Sequence, residues 1–142
     1  MAGLAATLGR GAMSNPLADM DKPDVIFCIG TNMTEAHPVA ATRLKQAQAK
    51  GAILIVADPR HIPLARRADL HLQLQVGTDV ALLGAMAHVI AERGLMDEAF
   101  IAERTEGWDD LREHLKSFTP QWAEEITGVP AALIERAAVL FA

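Results

Sequence analysis

Two short apolar runs, each closed by a turn, constrain this chain more than anything else in it. Val25-Ile26-Phe27-Cys28-Ile29 is bounded by Lys22-Pro23-Asp24 and Gly30, and Ala52-Ile53-Leu54-Ile55-Val56-Ala57 is stopped by Asp58-Pro59-Arg60. Apolar runs of this length, rich in β-branched residues, read as strands; the first is expected to be buried on both faces. The stretch between them is helical in pattern. Pro38 suits a first helical turn, Val39, Ala40, Leu44 and Ala47 form an apolar stripe, and Gly51 closes the helix. Strand, helix and strand in that order predict a parallel pair joined by a right-handed crossover.

The pattern then continues with a difference. Leu70-His71-Leu72-Gln73-Leu74 alternates strictly, as a half-exposed strand near a sheet edge does, so His71 is expected to point outward. Ile62 to Arg67 suits one or two helical turns. Gly77-Thr78-Asp79 leads into a helix over 80–93 with Leu82, Leu83, Met86, Val89 and Ile90 as its stripe and Gly94 as its stop. The rest reads as helices: one capped by Asp97, one over 108–115, one opened by Thr119-Pro120 and one opened by Pro130. The first twenty residues are Gly-rich and weakly patterned, with room for a short helix ending near Gly9 or Gly11. The expected fold is α/β, a Rossmann-like parallel sheet with flanking helices and a helical C-terminal third, in a single domain over 1–142.

Composition narrows the function classes. With 142 residues, 51% of them hydrophobic and 22% charged, the chain is ordinary globular material of one domain's length. Aromatic residues are only 4% and Tyr is absent, so the core is expected to be aliphatic. A net charge of −5 argues against a general affinity for nucleic acid or anionic membranes. The single cysteine excludes an internal disulfide and any cysteine cluster for zinc or iron–sulfur; inside an apolar run, Cys28 reads as a buried strand residue. No apolar run approaches the roughly 20 residues needed to span a bilayer. Residues 1–20 lack the form of a signal peptide. The expected compartment is the cytoplasm, without direct membrane contact, and a periplasmic parent protein stays open.

In an open parallel sheet, ligands bind beyond the carboxyl ends of the strands. Three such ends carry polar or glycine-containing turns here. After the first strand, Gly30 allows close backbone approach, Thr31 and Asn32 offer hydrogen bonds, and a following helix offers unpaired N–H groups to a pyrophosphate; Asn32 or Thr34 acting simply as a helix cap explains the same residues. Asp58 stands where dinucleotide folds place an acid on ribose hydroxyls, with Arg60 available to phosphate or base, while a turn closed by Asp58 on its own backbone is the other reading. Asp79 is either a first-turn acid that complements the helix dipole or an acceptor for the N1–H and N2–H₂ edge of guanine, a pair adenine does not offer. There is no G-x-G-x-x-G and no Walker A pattern. His37, His61, His71, His88 and His114 lack metal-ligand spacing, and no nucleophile–base set is apparent. Glu103, Glu106, Asp109 and Asp110 read as a solvated surface, and Trp108 and Trp122 as core or inter-domain contacts.

The three loops occur together in a recognisable form. Gly30-Thr31-Asn32-Met33-Thr34-Glu35-Ala36-His37-Pro38-Val39 resembles the first nucleotide loop of the molybdopterin oxidoreductases related to dimethyl sulfoxide reductase. Val56-Ala57-Asp58-Pro59-Arg60 and Gly77-Thr78-Asp79-Val80-Ala81-Leu82-Leu83 look like the second and third. Phe100-Ile101-Ala102-Glu103-Arg104-Thr105-Glu106-Gly107-Trp108, Gly11-Ala12-Met13-Ser14-Asn15 and Ile126-Thr127-Gly128-Val129-Pro130 resemble the formate dehydrogenase branch in particular. The resemblance implies a guanine-dinucleotide-binding module of a catalytic subunit carrying molybdenum or tungsten. Gly30, Thr31, Asn32 and Glu35 would line the dinucleotide site, Asp58 and Arg60 would hold the ribose and phosphate region, and Gly77, Thr78 and Asp79 would reach the guanine.

Ala36 lacks the hydroxyl that some relatives carry. The resemblance places the Cys or selenocysteine metal ligand, its neighbouring His and the iron–sulfur cysteines upstream of Met1, so catalytic residues, metal ligands and cluster ligands are not expected in this chain. Implied partners are the remaining domains of the subunit and electron-transfer subunits. Two readings stay open: a stand-alone nucleotide-binding or interaction module without redox activity, and a piece of another molybdopterin oxidoreductase such as a nitrate reductase.

Overall fold

The computed structural model describes residues 2–9 and 15–142. Residues 11–14 of the stretch Gly11 to Asn15 lie outside the described residues. Three strands, β1 (Val25–Ile29), β2 (Ile53–Ala57) and β3 (Leu70–Leu72), form one parallel sheet in the order β1-β2-β3. The helices are α1 (Ala2–Leu8), α2 (Met33–Ala36), α3 (Pro38–Ala49), α4 (Asp79–Glu92), α5 (Glu98–Arg104), α6 (Trp108–Leu115), α7 (Pro120–Thr127) and α8 (Ala131–Phe141), with 3₁₀ turns at Leu17–Asp21 and Ala65–Arg67. The expected α/β class, the parallel pairing and the helical C-terminal third are all present.

The period-2 alternation of strand side chains splits the core into two layers. On one face Ile55, Ala57, Leu70 and Leu72 pack with Leu82, Met86 and Val89 of α4 and Ile134 and Ala137 of α8. On the other, Cys28, Leu54 and Val56 pack with Leu44 of α3 and with Ile62 and Leu64. The sheet is therefore covered on both sides. β2 is central and almost wholly buried, whereas β1 is an outer strand and only Cys28 of it is buried. The expectation that β1 is buried on both faces is thus corrected: with no strand beyond it among the described residues, its side chains other than Cys28 reach only half-burial. Phe27 is held from one side by an edge-on contact with Phe141, ring centroids 5.7 Å apart.

Local signals explain most element ends. Gly51, Gly94 and Gly128 take positive φ just past α3, α4 and α7, the left-handed conformation that closes a helix at no steric cost to glycine. Asp97 and Thr119 accept N–H bonds at the starts of α5 and α7, the latter followed by Pro120. β3 is shorter than its alternating pattern suggests, because Gln73 leaves the ladder and Gln75 turns to bond the carbonyl of Thr127. Leu83, expected within the buried stripe of α4, is exposed.

Burial pushes the Cys28 thiol up to about 11. Cys28 in the folded chain is expected to resist iodoacetamide at about pH 8, since the thiolate is the nucleophile, and to react readily once the chain is unfolded in urea. Equal rates in the two states would contradict its burial. Because the folded state favours the protonated thiol, this contribution to stability is intact below the ordinary thiol range and is lost as pH rises towards about 11.

Candidate functional site

The register of the sheet decides what meets at its carboxyl edge. Ile29, Ala57 and Leu72 lie in one row, so Gly30, Asp58 and Gln73 are the first residues past the three strands. The loops 30–37, 58–64 and 73–78 therefore share one edge, and the three turns that the sequence singles out are brought together there.

In the first loop Gly30 has φ of 59°, a region that favours glycine, and its N–H extends the ladder by bonding the carbonyl of Ala57. A Cβ at Gly30 would meet nothing within 4 Å, so the strand end is open to approach. Thr31 and Asn32 are half-buried. Asn32 does not cap α2 with its side chain; its Oδ1 accepts from the Thr34 hydroxyl at 2.8 Å, which leaves its amide nitrogen without a partner among the described residues. The four-residue α2 was not expected: it separates Gly30 from α3 and places Glu35 on an exposed turn. His37 links α2 to α3 and is exposed.

In the second loop Asp58 closes the turn on its own backbone, as one of its two readings expects. Asp58 is 2% exposed. Its Oδ1 accepts from the Arg60 backbone N–H at 2.8 Å and from Arg60 Nε at 3.4 Å, closing the turn on itself. Its Oδ2 accepts from no described residue, and the Arg60 side chain remains largely exposed. In the third loop Gly77 has φ of 84°, again with open space where a Cβ would stand. The Thr78 hydroxyl is turned back on the Gln75 carbonyl at 2.7 Å, and the exposed Asp79 begins α4.

Two residues missing from the sequence-based set prove to shape this edge. His71, expected to face outward, is half-buried, with Nε2 2.9 Å from the Asp58 carbonyl, and its ring lies 5.4 Å from that of His61. Alternation alone cannot show that the segment after β2 folds back over that face. Gln73 Nε2 donates to the Pro59 carbonyl at 3.0 Å. The edge is also rimmed by strongly exposed apolar side chains: Val39 in the first turn of α3, and Val76 and Val80 flanking Gly77 to Asp79. Beside it runs an apolar groove of about 520 Å³ lined by Leu17, Met20, Met33 and Pro38 to Ala40. A separate cleft of about 560 Å³ lies between α5 and α6, lined by Ile101, Thr105, Trp108 and Asp109 among others. It takes in part of the stretch from Phe100 to Trp108 and none of the strand-end loops. Among the described residues no three His, Cys, Asp or Glu side chains are grouped to hold a metal ion, and no helix is long and apolar enough to cross a membrane.

Comparison with known proteins meets this geometry from another direction. The family model for molybdopterin oxidoreductases matches residues 4–140. Formate dehydrogenase H of Escherichia coli is 45% identical over 142 residues, which is 100% of this chain and 20% of that protein. The alpha subunit of F420-dependent formate dehydrogenase 1 of Methanococcus maripaludis is 44% identical over 139 residues, 98% of this chain and 21% of that one. Among solved structures, acetylene hydratase from Pelobacter acetylenicus superposes with a TM-score of 0.79 at 36% identity, covering 83% of this chain and 16% of that one. The chain thus spans about one fifth of the length of the curated relatives it matches. With a family model covering nearly its whole length and relatives at this level of identity, the chain belongs to the molybdopterin oxidoreductase family.

Proposed function

We propose that the carboxyl edge of this sheet holds the guanine dinucleotide end of a pterin cofactor of molybdenum or tungsten. In this reading the chain, as one domain over 1–142, is the dinucleotide-binding module of a formate dehydrogenase catalytic subunit. The observation that carries the reading is the convergence of three strand-end loops whose polar groups are left uncommitted. Among the described residues the Asn32 amide nitrogen and Asp58 Oδ2 have no partner, and Arg60 has an exposed guanidinium and Asp79 an exposed carboxylate. Gly30 and Gly77 leave open space at the same edge.

These groups fit a guanosine diphosphate moiety. Because Arg60 already occupies Asp58 Oδ1, ribose hydroxyls would donate to Oδ2. The Arg60 guanidinium would face the phosphates, with Thr31, Asn32 and Glu35 along the first loop. Gly77 lets the backbone turn so that Thr78 and Asp79 meet the base, and the Asp79 carboxylate accepts from both N1–H and N2–H₂ of guanine. The exposed Val39, Val76 and Val80 suit an edge that cofactor and neighbouring domains cover.

When bound in the whole subunit, the pterin-held metal would supply the two-electron chemistry for oxidising formate to carbon dioxide. This chain's residues hold and orient the nucleotide end, and iron–sulfur clusters and electron-transfer subunits belong to the rest of the assembly. Identity of 43–45% to several formate dehydrogenases across the whole chain favours this parent over others in the family.

Titration calorimetry with GDP and ADP tests the assignment. The chain is expected to prefer GDP, and Asp79→Ala to weaken GDP binding by about 1–3 kcal/mol while leaving ADP unchanged, the cost of unpaired donors on the base. Equal binding of GDP and ADP by the unaltered chain would sink the guanine assignment.

A further inference from the structure

β3 contributes more to this edge than its strand pairing. Its alternation sends His71 to the face opposite the buried Leu70 and Leu72, and Gln73 is the first residue past the strand. Both side chains reach sideways to the neighbouring loop and take consecutive backbone carbonyls, His71 Nε2 that of Asp58 at 2.9 Å and Gln73 Nε2 that of Pro59 at 3.0 Å. A carbonyl only accepts, so the His71 Nε2 carries the proton in this contact. The Asp58–Arg60 turn is thereby tied twice from outside, in addition to its internal bonds from Arg60 to Asp58 Oδ1.

We propose that His71 and Gln73 are positioning residues. They fix the backbone of the Asp58–Arg60 turn, so that Asp58 Oδ2 and the Arg60 guanidinium are presented to the nucleotide in one arrangement. The proposal rests on the assignment of that edge to a guanine nucleotide. Its physical basis is the turn's composition. Pro59 has no N–H to anchor it and the turn lies beyond the last ladder pair. The Arg60 carbonyl accepts from the Ile62 backbone N–H, whereas those of Asp58 and Pro59 accept from the side chains of His71 and Gln73. Freezing the turn before binding removes an ordering cost that the ligand would otherwise meet.

The test uses the full 142-residue chain with GDP as the probe, and reads the turn and the affinity separately. His71→Phe keeps the ring and removes the donor; Gln73→Leu does the same for the amide. Each is expected to raise the hydrogen-exchange rate of the Arg60 amide and to weaken GDP binding about three- to tenfold, the worth of one such bond. The two together should do more than either alone. His71→Gln, which restores an N–H at similar reach, is expected to recover most of both effects, which a merely space-filling role for His71 would not produce.

Unchanged Arg60 exchange in the double variant overturns the clamp, whatever happens to affinity. Faster exchange with unchanged GDP affinity overturns the positioning role while leaving the nucleotide assignment intact. Failure of the unaltered chain to bind GDP overturns the assignment itself, and the positioning role with it.

Discussion

Replacing Leu82 with alanine is expected to destabilise the chain by about 2–5 kcal/mol, read as a lower urea midpoint with an unchanged slope. Leu82 is fully buried. It packs one turn into α4, within the cluster that joins Ile55 and Leu72 of the sheet to Ile134 of α8. Truncation there removes the transfer energy of the side chain and leaves a cavity walled by strand and helix on opposite sides, which cannot both collapse inward. The same residue fixes α4 close to Asp79, and its N–H bonds the Thr78 carbonyl. A loss below about 1 kcal/mol would show that this layer repacks freely, contrary to a core set by β3 and α8.

Gly84→Val is expected to cost about 3 kcal/mol, at the upper end for overpacking. A Cβ at this position would stand 2.2 Å from Cδ1 of Phe118 and 2.8 Å from Cε1, far inside contact distance. The ring has little freedom to yield, because it makes edge-on contacts with His114 at 5.0 Å and Trp122 at 4.9 Å. Glycine in mid-helix is disfavoured by about 1 kcal/mol relative to alanine. The seat of Phe118 against α4 explains why it stands there. A double-mutant cycle separates the two terms: with Phe118→Ala in place, Gly84→Ala should become neutral or stabilising by up to about 1 kcal/mol, whereas additive effects would refute the clash.

The parts of this fold that were legible in the sequence are those set by local rules. The apolar runs marked β1 and β2, and Pro38 and Gly51 bracketed α3 within a residue. Asp97, Thr119 and Pro130 stand where their helices begin. What escaped depended on distant partners. The half-burial of β1 follows from its outer place in the sheet, and the α2 turn from the path that the chain takes between Gly30 and Pro38. His71 lost its outward position to a segment some ten residues earlier that folds back beside it. The candidate site was legible as three loops, since each follows a strand. Of its internal wiring the sequence offered only the turn that Asp58 closes on its own backbone; that His71 and Gln73 take the carbonyls of Asp58 and Pro59 is a fact of geometry.

The order of the sheet has a consequence for how the chain assembles. β1, β2 and β3 lie side by side in the order in which they are made, each pairing with the one before it. Closing such a sheet needs only the short loops through α3 and through residues 58–69, so little chain entropy is lost at each step. The layer holding Cys28, Leu44 and Leu54 closes early, from neighbours in sequence. The opposite layer waits for α4 and then for α8, which covers Phe27 and the Leu70–Leu72 face together. During synthesis the first two turns at the carboxyl edge would thus be lined up while the far side of the sheet still lacked its cover, and the third, whose Gln75 N–H bonds the Thr127 carbonyl, would wait for α7. Residues 131–141 act as the closing latch of the unit.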